Sequence, residues 1–213
     1  MTDELWRRGA RQLADDIANK RTTSREVVEA HLARIAEVNP AVNAVVKVLA
    51  DDARRMADAA DRAVNEGRSL GPLHGVPMTI KENIDVAGQA TTHGVPLFAE
   101  AIAPTSSPAV ERMLAAGAIP IGRTNLPDMG LRIHTDSSLH GRTKNPWMSE
   151  RTAGGSSGGE GAALATGMSP IGLGNDIGGS LRNPAHACGI ASIKPSVGVI
   201  ADAQTYPSPD RSP

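Results

Sequence analysis

Aromatic residues are almost missing from this 213-residue sequence: they make up 2%, in Trp6, Phe98, Trp147 and Tyr206. Charge of one sign is missing too, since 22 Lys and Arg stand against 23 Asp and Glu. Neither the basic face nor the stacking rings of a nucleic-acid surface are present. A single cysteine, Cys188, excludes an intramolecular disulfide and fits a reducing compartment. With no partner motif it reads as a small buried hydrophobe. No run is long and apolar enough to span a bilayer. The N-terminus, MTDELWRRGARQLADD, is polar and amphipathic and has no signal core. The expectation is a soluble cytoplasmic protein whose core is built from Ala, Val, Ile, Leu and Met. Histidines and carboxylates show no ligand spacing, so neither a metal nor an organic cofactor is expected. A homo-oligomer is compatible with this composition.

Glycine, by contrast, is concentrated. Two serine-bearing glycine loops stand out, Gly154-Gly155-Ser156-Ser157-Gly158-Gly159 and Asp176-Ile177-Gly178-Gly179-Ser180. Between them lie an Ala-rich segment, Glu160 to Thr166, and a short apolar run, Ser169 to Gly174. The first reads as a helix stopped by Gly167, the second as a buried strand. Loop, helix, strand, loop brings the two loops to one end of a sheet. Glycines let backbone approach a ligand closely, so the meeting point is a candidate site.

Upstream, Leu5, Trp6, Ala10, Leu13 and Ile17 follow helical spacing. Thr23-Ser-Arg-Glu26 is a capping box opening a helix that buries Val28, Leu32 and Ile35 and should end at Asn39-Pro40. Val45–Leu49 reads as a strand, and Asp51 as the cap of an Ala-rich helix reaching about Asn65, with Gly67 as its stop. Ser107-Pro108 opens a further helix closed by Gly117. Val76–Ile80, Ala118–Gly122 and Ser169–Gly174 complete the strand set. Helix and strand in alternation give an α/β fold, a sheet covered by helices on both faces. The stretch holding Asn125, His134, Asp136 and His140 is polar and loop-rich and is assigned no chemistry.

Lys81 stands at the end of an apolar strand. A lysine there is more often a solvated strand terminus, and spacing alone does not make it catalytic. His74 and His93 are tempting bases, but lone histidines are more often structural. Gly154 to Gly158 also fits G-x-S-x-G, with Asp176 and His186 following in triad order. That elbow belongs between strand and helix, and Met148 to Ala153 is polar. A phosphate loop would need Lys-Ser/Thr after the last glycine, where Glu160 stands. Arg182 reads as a buried, paired charge, Asp176 as structural, and Lys194 as a poor second candidate for a base.

The sequence resembles the amidase signature family of serine hydrolases. The resemblance rests on GGSSGG, the spacing to DIGGS, the following LRNPA and the CGIASIKPS ending. It also runs through Gly71–Asp85, Gly122–Asn125 and Asn145-Pro-Trp147. It implies the amidase signature fold, with residues 1–66 as a helical segment of the same domain and 67–199 as its core. It implies an amidase acting on a small-molecule amide through a seryl acyl-enzyme. In that scheme Ser180 is the nucleophile, Ser156, after a cis Gly155-Ser156 peptide, is the bridging serine, and Lys81 is the general base. The N–H groups of Ile177, Gly178, Gly179 and Ser180 form the oxyanion hole. A lysine base needs its ordinary pKa of about 10.4 lowered by burial, and activity should then rise with pH.

Within the family, Asn183 and the GEGAAL and LGNDIGG wording lean toward stand-alone hydrolases. The glutaminase subunit of the tRNA-dependent amidotransferase usually has Gln at that position. Residues 200–213 read as a Pro-rich loop cut in mid-course. The resemblance implies a longer chain, so an inactive or partner-requiring fragment is the alternative to an active amidase.

Overall fold

A computed structural model describes residues 4–201. All but the first two residues of the expected 200–213 loop therefore lie outside the described residues. The expected first helix is two pieces, a 3-10 turn at Leu5–Arg7 and α1 at Ala10–Ala18, separated by extended backbone at Arg8 and Gly9. Trp6 is drawn instead across the Arg34 guanidinium, 4.0 Å from its ring centre.

α2 spans Ser24–Val42 and opens with the expected capping box, in which the Thr23 hydroxyl accepts from Glu26 N–H. It does not end at Asn39-Pro40. Pro40 sits in the last turn, where its missing N–H forfeits a single bond. The helix closes instead at Asn43, in the left-handed region, with its N–H on Asn39 O at 2.7 Å. The Asn39 amide then takes the N–H groups of Ala44 and Val45 and leads the chain into β1, Val45–Val48. α3, Ala50–Asn65, is capped by Leu49 rather than Asp51. Asp51 and Asp52 lie in its first turn, where acidic groups meet the positive helix end.

The central strands run past their expected ends. β2 is Pro77–Lys81 and β3, which follows α4 (Pro108–Ala115), is Ile119–Thr124. A two-residue hairpin, β4 (Asp136–Ser137) and β5 (Gly141–Arg142), lies in the stretch that reads as loop. After α5, Gly158–Ala165, the expected strand Ser169–Gly174 shrinks to β6, Gly172–Leu173. Its first residues are turned aside as Ser169 Oγ donates to Ile171 O at 2.7 Å. α6, Arg182–Cys188, has no counterpart in the sequence-based expectation. Pro184 sits in its first turn, which needs no N–H from it.

The main sheet has the order β1-β3-β2-β6, with β2 parallel to both neighbours and β1 antiparallel to β3. It is therefore mixed, and helices cover both faces. Ile119 and Ile121 of β3 pack with Val28, Leu32 and Ile35 of α2, Ala53 and Ala57 of α3, and Ala162 and Ala163 of α5. Met78 and Ile80 of β2 pack with Val110 of α4. Leu13 and Ile17 of α1 meet Val27 and Val76 in a third cluster. Cys188 is buried against Ala153 O, and burial pushes its thiol up to about 11, in keeping with a packing role. Among the described residues no helix is long and apolar enough to cross a membrane.

Candidate active site

Strand β2 ends on Lys81, and α5 begins just after Ser156 and Ser157. The parallel β6 leads into the loop carrying Asn175 to Ser180. Three segments thus deliver side chains to the carboxyl ends of two adjacent parallel strands, the usual place for a site in such sheets. Lys81 is no solvated terminus; its side chain is wholly buried. Its Nζ donates to Ser156 Oγ at 2.6 Å and to Asn175 Oδ1 at 2.7 Å. The Asn175 amide in turn donates to Asn83 Oδ1 at 3.2 Å. Burial pulls the Lys81 pKa from 10.5 down to about 7, against the opposing fields of Glu160 and Asp176.

The peptide bond Gly155-Ser156 is cis. The loop is anchored across the site, because Gly155 N–H donates to Asn183 Oδ1 at 2.9 Å. Ser157 N–H donates to Ser180 O at 3.1 Å, which ties the first glycine loop to the second. Ser156 is buried, whereas Ser180 is half-buried. The Ser156 hydroxyl is thus bonded to the lysine, whereas that of Ser180 has no hydrogen-bond partner among the described residues.

Asp176 shapes the second loop. Its carboxylate accepts the N–H groups of Gly179 at 2.7 Å and Leu181 at 3.0 Å, and the Arg182 guanidinium at 2.9 and 3.0 Å. Arg182 beside it, followed by those backbone donors, holds Asp176 far below the usual carboxylate range. Arg182 is paired as expected but is exposed, not buried: it lies over the Asp176 carboxylate from the solvent side. Of the four N–H groups named for the oxyanion hole, that of Gly179 is thus engaged by Asp176. Those of Ile177, Gly178 and Ser180 donate to no acceptor among the described residues. A Cβ at Gly178 or Gly179 would touch nothing within 4 Å, so crowding by side chains is not why glycine stands there. Gly179 alone has a conformational reason, a φ of +123°.

The rival assignments come apart in the fold. Asp176 is committed to Arg182 and to the loop backbone, and His186 is exposed on α6. The two form no triad with Ser156. Lys194 is exposed, with its Nζ on Pro195 O. His74 bonds Ala60 O, and His93 stands edge-on to Phe98. No cluster of His, Cys, Asp or Glu among the described residues has the arrangement of a metal site.

Four further residues lie in the segments that carry the resemblance, which gives them no role. Asn175 bonds Lys81, and Glu160 is buried. Arg123 is buried, with its Nη2 on Ile84 O at 2.7 Å, and burial lowers its pKa to about 10. Glu82 pairs with His140 at 2.7 Å. Glu160 has one usable signal, a lone charge in the otherwise apolar run GGEGAALA.

Residues 26–211 match the family model described as Amidase. The chain is 50% identical over 196 residues to an indoleacetamide hydrolase of Bradyrhizobium diazoefficiens, covering 92% of this chain and 37% of the relative. It is 41% identical over 185 residues to a glutamyl-tRNA(Gln) amidotransferase subunit of Synechococcus sp., covering 87% and 38%. Among solved structures, a fatty acid amide hydrolase superposes with a TM-score of 0.83 at 32% identity, covering 87% of this chain and 33% of that one. The chain therefore spans well under half the length of these relatives.

Proposed function

The chain belongs to the amidase family, and from that premise we propose that it carries the catalytic machinery of a carboxylic-amide hydrolase. Ser180 is the nucleophile, Ser156 the relay and Lys81 the base. An amide is a poor electrophile with a poor leaving group, so it needs an activated nucleophile, an oxyanion site and a proton for the amine. The observation that carries the reading is the buried Lys81 Nζ at 2.6 Å from Ser156 Oγ. With a pKa brought to about 7, Lys81 is partly neutral at neutral pH and able to accept a proton. One hydroxyl both donates and accepts. Ser156 can therefore pass its proton to Lys81 while taking that of Ser180, leaving the Ser180 oxygen free to attack the carbonyl carbon. The reverse transfer delivers the proton to the departing nitrogen, and water repeats the sequence on the acyl-enzyme. The free N–H groups of Ile177, Gly178 and Ser180 are the donors for the oxyanion.

A stand-alone hydrolase is favoured over an amidotransferase component by the identity to the indoleacetamide hydrolase, 50% against 41% to the amidotransferase subunit. A fluorophosphonate probe tests the scheme on the chain itself. Labelling is expected at Ser180, absent in Ser180→Ala, with a rate that rises with pH through about 7 as Lys81 loses its proton. Labelling at Ser156 would overturn the scheme, whereas a folded chain that labels at no pH would point to the alternative, an inactive or partner-requiring fragment. A rate that is flat across pH would remove neutral Lys81 as base.

A further inference from the structure

Glu160 is a buried carboxyl, placed on the site side of the sheet by three strands at once. Its Oε2 accepts from Thr79 Oγ1 at 2.7 Å and its Oε1 from Thr124 Oγ1 at 2.8 Å. Thr79 and Lys81 are two residues apart on β2 and so share a face. Thr124 is the direct β3 partner of Lys81. The carboxyl therefore lies on the Lys81 side, one residue deeper in the sheet. On β6, Gly172 pairs with Thr79, and a Cβ there would come within 2.1 Å of Glu160 Oε2. The fold leaves a side chain off β6 where this carboxyl sits.

We propose that Glu160 is a positioning residue for Lys81: its carboxylate, held by the Thr79 and Thr124 hydroxyls, sets how tightly Lys81 keeps its proton. This rests on the reading of Lys81 as the base and deepens it. The surrounding charges are few. From β2 comes Lys81, with Glu82 beyond it, and from β3 comes Arg123. Asp176 acts on Lys81 from the second loop. Lys47 of β1 and Arg182 and His186 of α6, on other elements packed against α5, are exposed.

Two forces oppose each other at Lys81. Burial strips its ammonium of water, and Glu160 is the strongest of the charges restoring its proton affinity. Burial also raises Glu160, to about 7, against the pull of Thr79 and Thr124 and the fields of Lys81 and Arg123. The acid and the base are thereby brought to similar proton affinities, so each proton gained or lost by one is felt by the other. Without Glu160 the lysine would be neutral more of the time and a weaker base when neutral.

The test is an NMR titration of the lysine ε groups in the whole chain, with the Lys81 signal assigned by its loss in Lys81→Met. In Glu160→Gln, which keeps the shape, the Lys81 midpoint is expected to fall by about one unit. In Thr124→Val, which removes one hydroxyl favouring the ionised carboxyl, it should fall by less. This second variant covers the case in which the glutamine protein does not fold. An unchanged midpoint in a folded variant would overturn the proposal. The readout does not involve Ser180, so the two readings can fail separately. A shifted midpoint without probe labelling would count against hydrolysis by this chain alone and leave this inference standing. Labelling with an unshifted midpoint would do the reverse.

Discussion

Replacing Lys81 with methionine is expected to cut the rate of Ser180 acylation about a thousandfold, the range of a lost general base, while leaving the protein folded. Methionine is unbranched and close in length, so it can follow the path of the lysine stem on the Thr79 face of β2. The same variant should lose a pH dependence of stability. The folded pKa of Lys81 lies at about 7, below its ordinary 10.5. Between those values the unfolded chain binds the proton and the folded one does not. Wild-type stability therefore rises with pH across that window, and is lost as pH falls through about 7. Cys188, raised from 9.0 to about 11, acts in the opposite sense, but equally in both proteins. Denaturant midpoints at pH 7 and pH 10 check this: their difference should be more positive for wild type. Equal differences would mean that Lys81 is solvated.

The second large effect is on folding. Gly159 opens α5 where that helix crosses the end of β3. A Cβ there would come within 2.5 Å of both Asn125 N and Asn125 O and 2.9 Å of Ala44 O. All three are backbone atoms, and Asn125 N–H already donates to Ala44 O while Gly159 N–H donates to Asn125 O. Nothing there can swing aside as a side chain end would. Gly159→Ala should therefore cost about 3 kcal/mol, the upper part of the overpacking range, or a drop in melting temperature of about 10 °C. Gly178→Ala, with open space around it, is the control and should melt near wild type. If the two variants melt together, the packing of α5 on β3 is looser than described.

These cases also show what can be read from sequence in advance and what cannot. The proposed trio Lys81, Ser156 and Ser180 is carried by motif order, and the helix starts at Thr23 and Ser107 are legible because capping is a local interaction. Helix and strand ends are less legible. Pro40 reads as a breaker, yet in a last turn a missing N–H costs little. Ser169 to Ile171 read as the start of a strand, yet Pro170 has no N–H for the ladder and the Ser169 hydroxyl bonds Ile171 O. The electrostatics of the site are hidden for another reason. Glu160, Asn175 and Arg123 act across 36 to 94 positions of chain. Only the parallel pairing of β2 with β3 and β6 brings them together, and no local pattern announces it.

The Asp176 clamp bears on how the site responds to acid. Its carboxylate stays ionised far below the pH at which Lys81 becomes protonated. Mild acid therefore protonates Lys81 before it loosens the turn carrying Ser180. In the proposed scheme, inhibition over that range is a matter of occupancy by a proton rather than of damage. A sample returned from acid of about pH 5, between those two titrations, to pH above about 7 should regain its full labelling rate as fast as the solutions mix. A slow or partial return would mean that the turn had come apart.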